Sequence, residues 1–121
     1  MEEESFHQKL KRLIHEYILL TYKHTAKYPS EEKFGLTSQD RRAAVSIMLN
    51  YVEGYARMKS GVMVHQFETA YGSLKESIYC RFLAKELAHI TVEEYEKALA
   101  LKEKIGGMLY GTIDGIKNKS K

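Results

Sequence analysis

Two Glu-x-x-His pairs carry residue types and spacing suited to chemistry: Glu4 with His7, and Glu86 with His89. On facing helices of a bundle, this i, i+3 spacing is half of a carboxylate-bridged di-metal site. A second set lies in residues 34–57, FGLTSQDRRAAVSIMLNYVEGYAR. At about 100° per residue, Arg42, Ser46, Asn50, Glu53 and Arg57 share one side of a helix. This row of charges and hydrogen-bonding groups reads either as an internal Arg–Glu network or as a surface held by a partner. Arg41, Arg42, Arg57 and Lys59 are the candidates for binding RNA or DNA. Cys80 lies between Tyr79 and Arg81, where a cation can lower a thiol pKa; the competing reading is a packed interface thiol. His24 falls on an apolar helix face and reads as a hydrogen-bonded core histidine, and His65 with Glu68 as a solvated pair.

The elements that must position these groups are all helical. The 121 residues are 44% hydrophobic and 29% charged, which suits one globular core and excludes a disordered chain. With one proline, and glycines gathered mainly near the C-terminus, turn-rich β architecture is disfavoured. Apolar periodicity predicts helices over about 4–27, 38–58, 62–88 and 92–116. Helix 1 presents Phe6, Leu10, Leu13, Ile14, Tyr17, Thr21 and His24 on one face. In helix 2, Thr37 is the expected cap with Asp40 three residues on, followed by an apolar face of Val45, Met48, Leu49, Val52, Tyr55 and Ala56. Arg41 and Arg42 sit in its first turns, where the helix dipole disfavours cations.

Helix 3 is expected to bury Met63, Val64, Phe67, Ala70, Tyr71, Leu74, Ile78 and Phe82. Its second half carries Tyr79, Leu83 and Leu87 on the far side, with Cys80 beside them. A small bundle cannot cover both faces of its own helix, so these four residues are assigned to a subunit interface. Thr91 and Glu94 form a capping box that opens helix 4. Gly107, Gly111 and Gly115 follow on one of its sides, to admit another backbone or to fray.

Short connections between long helices give an all-α, antiparallel up-down-up-down four-helix bundle as a single domain. In that topology the Glu-x-x-His pairs sit at opposite ends, roughly 30 Å apart, which argues against a metal site. There is no nucleophile–base–acid arrangement, phosphate-cradling loop or zinc spacing, so neither catalytic residues nor cofactors are expected. The net charge of +3 leans weakly toward anionic partners. The acid at the start (Glu2, Glu3, Glu4) and the base at the finish (Lys117, Lys119, Lys121) suit helix dipoles. The acidic N-terminus does not read as a signal peptide, and no apolar run spans a membrane, so a cytoplasmic location is expected.

The combination Phe34-Gly35-Leu36-Thr37-Ser38-Gln39, Arg41-Arg42-Ala43, Ser46-Ile47, Asn50, Glu53-Gly54 and Arg57, then Ala70, Gly72-Ser73-Leu74 and Glu76, resembles a known family. These are the four-helix bundle proteins first noted as products of intervening sequences in bacterial large-subunit ribosomal RNA genes. The resemblance implies an antiparallel bundle, often a homopentameric ring. It also implies a fold similar to accessory proteins of diversity-generating retroelements, which bind nucleic acid and a reverse transcriptase. Helix 2 of the family usually reads I-P-x-N-I-A-E-G. Here it is Ile47-Met48-Leu49-Asn50-Tyr51-Val52-Glu53-Gly54, and the missing proline should leave it straighter.

Overall fold

The computed structural model describes residues 3–119. Glu2 and Lys121, two of the terminal charges noted above, lie outside the described residues. Four helices follow one another: α1 (Phe6–Thr25), α2 (Leu36–Ala56), α3 (Ser60–Glu86) and α4 (Val92–Lys119), with a short 3-10 turn, Ser30–Glu32, between α1 and α2. Each helix packs on its two neighbours around a square. Among the described residues, the backbones of the diagonal pairs stay apart. The core is drawn from all four helices: Leu10, Ile14 and Tyr17; Ala44, Ile47 and Tyr51; Phe67, Ala70 and Leu74; Ala98, Ile105 and Leu109, all without exposure. Each large aliphatic side chain sealed in this way contributes about 1.5–3 kcal/mol.

Helix boundaries follow local chemistry. Ser5 and Gln8 close a capping box on α1, so the helix begins two residues later than expected. The Thr25 hydroxyl donates back to the Thr21 carbonyl at the other end, and Tyr28 tucks beneath Ala84 and Ile90. The Thr91–Glu94 capping box opens α4, with bonds of 3.0 and 3.1 Å. Helix α2 departs from expectation. It starts at Leu36 behind an N-cap of Gly35 with no side-chain cap, so Thr37 does not fill that role. Asp40 turns inward and is fully buried.

The core face of α2 is correspondingly rotated. Asp40, Ala43, Ala44, Ile47, Tyr51 and Gly54 are buried, whereas Leu49, Val52, Tyr55 and Ala56 face solvent and Val45 and Met48 are half-buried. The bulkier residues had suggested the opposite assignment. The small ones are inside because α2 and α3 pack closest of any pair. Gly54 sets that approach. A Cβ there would stand 2.3 Å from Cε1 and 2.7 Å from Cδ1 of the buried Phe67 ring. That ring is hemmed by Tyr51 and Tyr55, each 5.5 Å away between centroids. In contrast, Gly107, Gly111 and Gly115 have nothing within 4 Å, and α4 continues past them to Lys119. The fold of one chain packs nothing on them, nor does the helix end there.

Replacing Gly54 by alanine should therefore destabilise the protein by about 1–3 kcal/mol despite the better helix propensity, because Phe67 cannot retreat. Gly107→Ala, in open space, should stabilise it by up to about 1 kcal/mol. Thermal melts of the two variants should move in opposite directions.

Candidate functional site

Among the described residues, the most connected polar group is interior. Arg81 on α3 and Asp40 on α2 are both without exposure and form an ion pair of 2.8 Å through Nε and Oδ2. The guanidinium also bonds His24 Nδ1 at 2.9 Å and donates to the Thr21 hydroxyl, both on α1. Its face lies 5.4 Å from the centre of the Tyr17 ring. Ser77 donates to Asp40 Oδ1 at 2.5 Å, and the Tyr17 hydroxyl is 2.7 Å from Ser77 Oγ. One arginine thus crosses the diagonal of the square and joins three helices. Desolvating two charges is costly and is offset here because each guanidinium nitrogen of Arg81 and each carboxylate oxygen of Asp40 has a hydrogen-bond partner.

This cluster holds the residue types of a nucleophilic triad but not the arrangement. His24 contacts Arg81 and not Ser77, and the carboxylate neutralises an arginine. No substrate can reach groups this deeply enclosed. Burial first, and then the Arg81 charge, holds His24 down to about 4, so it stays neutral and its Nδ1 accepts from Arg81. Burial, followed by the Asp40 charge, pushes the Cys80 thiol up to about 11. The activation considered for Cys80 is therefore reversed: next to Arg81 in sequence, it feels burial and Asp40 more strongly.

The Glu-x-x-His pairs are engaged elsewhere. Glu4 binds Arg12 at 2.9 Å, and His7 Nδ1 meets the Tyr51 hydroxyl at 2.6 Å. His89 binds Glu32 at 2.9 Å, and Glu86 lies 3.5 Å from Lys85. Among the described residues, no group of three or more His, Cys, Asp or Glu could hold a metal.

The polar row of α2 divides into separate parts. Ser46 bonds Ser73 of α3 at 2.9 Å, and Asn50 donates to both the carbonyl and hydroxyl of Ser46 at 2.9 Å. Arg57 pairs with Glu53 on the surface. Arg42 reaches only Gln39, at 3.4 Å, and Gln39 bonds Glu76. Of the four proposed nucleic-acid contacts, Arg41 and Arg42 stand together near the start of α2, while Arg57 and Lys59 stand at its far end. Arg41 is braced: its Nε donates to the Thr25 hydroxyl at 2.8 Å, and its guanidinium lies 4.7 Å from the centre of the Tyr22 ring. Tyr22, Arg41, Arg42, Val45, Ser46, Leu49 and Asn50 line an open groove of about 390 Å³.

The four interface candidates do not share one environment. Tyr79 and Leu87 are 60% and 55% exposed, Leu83 is half-buried, and Cys80 is turned inward. Tyr79 leans toward Phe82, which meets Tyr95 of α4, and Lys85 caps Phe82 at 4.5 Å.

Asp40, Ser77 and Arg81 were not singled out as a site from sequence. The available signal was Asp40 standing four and seven residues before Ala44 and Ile47, on what proves to be the core line of α2.

The network makes a pH prediction. Groups facing His24 are Arg81 of α3, Glu94 of α4, Lys23 of its own helix and Lys27 in the turn that follows it. The folded pKa lies below the unfolded value of about 6.5, so the unfolded chain takes up the proton first. His24 therefore contributes its full stability above about pH 6.5 and loses it as pH falls toward 4, on the order of 2–3 kcal/mol. Half-buried His7, lowered first by burial and then by Lys11, acts in the same direction. Urea midpoints between pH 7 and 4.5 should fall in the wild type and fall markedly less in His24→Gln, whose amide oxygen can still accept from Arg81.

A family model described as "23S rRNA-intervening sequence protein" matches residues 7–111. A crystal structure of a protein of unknown function from Bacteroides thetaiotaomicron, described as from the S23 ribosomal protein family, superposes with a TM-score of 0.77. The two share 21% identity over 86% of this chain and 97% of that one, which shows a common fold. No curated protein matches the sequence. The family match reaches into all four helices, and the chain belongs to the 23S rRNA-intervening sequence protein family.

Proposed function

We propose that the protein is a non-catalytic, self-assembling helical scaffold. The observation that carries this reading is the large apolar surface left on two outer helix faces. Leu49, at 63% exposure, stands with Val52 and Tyr55 on α2, and Tyr79 with Leu87 on α3. Exposed apolar stripes at helical spacing are what a second helix covers. The enclosed polar network supports a structural role over a reactive one. A homopentameric ring is the assembly that the family resemblance suggests. Light scattering at micromolar concentration should report a discrete oligomer; a stable monomer would sink this reading.

A second reading, binding of RNA or DNA, is favoured by one observation. Arg41 and Arg42 have no ion-pair partner among the described residues, unlike Arg57. Two phosphate contacts per chain give a log–log salt slope of about −2. Anisotropy titration of a labelled single-stranded RNA and a DNA duplex at about 50 mM salt, where such affinity is strong, tests it. Binding that is lost in Arg41→Ala/Arg42→Ala is the supporting result, and absence of any binding removes the reading.

A further inference from the structure

We propose that copies of this chain join through Phe34: its ring and the Glu31 carboxylate seat in the groove that Tyr22, Arg41, Arg42, Val45 and Leu49 form on the next copy. The inference rests on the self-assembly reading and names the surfaces that it uses.

Phe34 is 89% exposed, at the tip of the connection between α1 and α2. A phenylalanine can remove about 150–250 Å² from water, so a ring standing in solvent has most of its apolar area unused. Its base is held firmly. Glu32 binds His89 at the α3–α4 corner and accepts the Leu36 amide, while the Lys33 and Gly35 amides donate to the carbonyls of Ser30 and Glu32. The ring's own charge contact is Lys33, 5.5 Å from its centre.

The groove matches this projection. Val45 and Leu49 provide aliphatic surface, Tyr22 an aromatic wall, and about 390 Å³ of space stands open. Phe34 of the same chain is not among its lining residues. Net charge is complementary, since Glu31 and Glu32 outnumber Lys33 at the tip. The groove is lined by two guanidiniums and no carboxylate, and neither arginine has an ion pair among the described residues. Arg41 is fixed by Thr25 and Tyr22 with its terminal nitrogens available, a fork preorganised for a carboxylate. Glu31, three residues before Phe34, is exposed and likewise has no ion pair among the described residues. Projection and groove are different surfaces, so each copy supplies one of each and the contact is heterologous. A carboxylate seated there occupies the guanidiniums that phosphate would need, which sets this contact against the nucleic-acid reading.

The test uses the full chain, with light scattering over a concentration series and thermal melts as the fold control. Phe34→Ser removes the projection from an exposed site, and Leu49→Arg blocks the groove. Each should keep the wild-type melting of the isolated chain and raise the concentration for assembly about tenfold or more. Mixed in equal amounts, the two should form a 1:1 dimer, since one retains the groove and the other the ring. Glu31→Arg and Arg42→Glu should each weaken assembly, and the double variant should recover it. If the wild type assembles and Phe34→Ser assembles equally well, or the mixture gives no dimer, or the double variant does not recover, this contact is overturned while self-assembly stands. A monomeric wild type overturns the self-assembly reading and this contact with it.

Discussion

The ion pair between Asp40 and Arg81 constrains the rest of the bundle. An arginine with no exposure is compatible with folding only if its charge and donors are met inside. Asp40 meets the charge, and His24 and Thr21 take the remaining donors that reach across the diagonal. Those partners come from two helices, α1 and α2, and each bond fixes an axial position as well as a contact. Sliding α2 by one turn against α3 would leave a buried charge unpaired, at about 3–5 kcal/mol, and sliding α1 would strip the guanidinium of His24 and Thr21. Apolar contacts tolerate such slippage far better. The network therefore fixes register, while the surrounding Leu, Ile, Tyr and Phe side chains supply most of the free energy.

Close packing of α2 on α3 follows from that arrangement. Asp40 sits near the start of α2 and Gly54 near its end, both on the line that faces α3. The charge pair holds one end of the contact, the Ser46–Ser73 bond its middle, and Gly54 against Phe67 the other end. Small inward residues bring the backbones together, and the larger side chains of α2 are consequently displaced outward. The exposed Leu49 and Val52 are thus a consequence of core geometry, and they give the protein a surface with an unmet apolar demand.

Membership in the intervening-sequence protein family accounts for several signature residues in physical terms. Gly54 is needed for helix approach, Ser46 and Asn50 satisfy one another and Ser73, and Ala43 lines the close α2 face. Such residues mark a packing requirement. Arg41, Arg42 and Phe34 are different: the two arginines have no ion pair among the described residues, and the Phe34 ring stands in solvent.

The amino-acid sequence by itself determined four amphipathic helices, their order and their antiparallel course. Periodicity and the Thr91 cap are local properties, and short connections leave little choice of topology. Most of the inner stripes of α1, α3 and α4 was legible for the same reason, but Phe6 of α1 is exposed and the buried Ser73, Ser77 and Arg81 of α3 were not expected there. Helix α2 was not, because its inward residues are small or charged and its outward ones bulky, so hydrophobicity pointed to the wrong side. Only the tertiary structure decided that Asp40 faces inward, since its cap-like position is locally equivalent to a solvent-facing one. Its partner Arg81 is 41 residues away, and no local spacing connects them. The same holds for His24, whose core position was readable but whose neutral state depends on an arginine from another helix. Local patterning is written along the chain; charge pairing and the small-residue seam exist only once three helices meet.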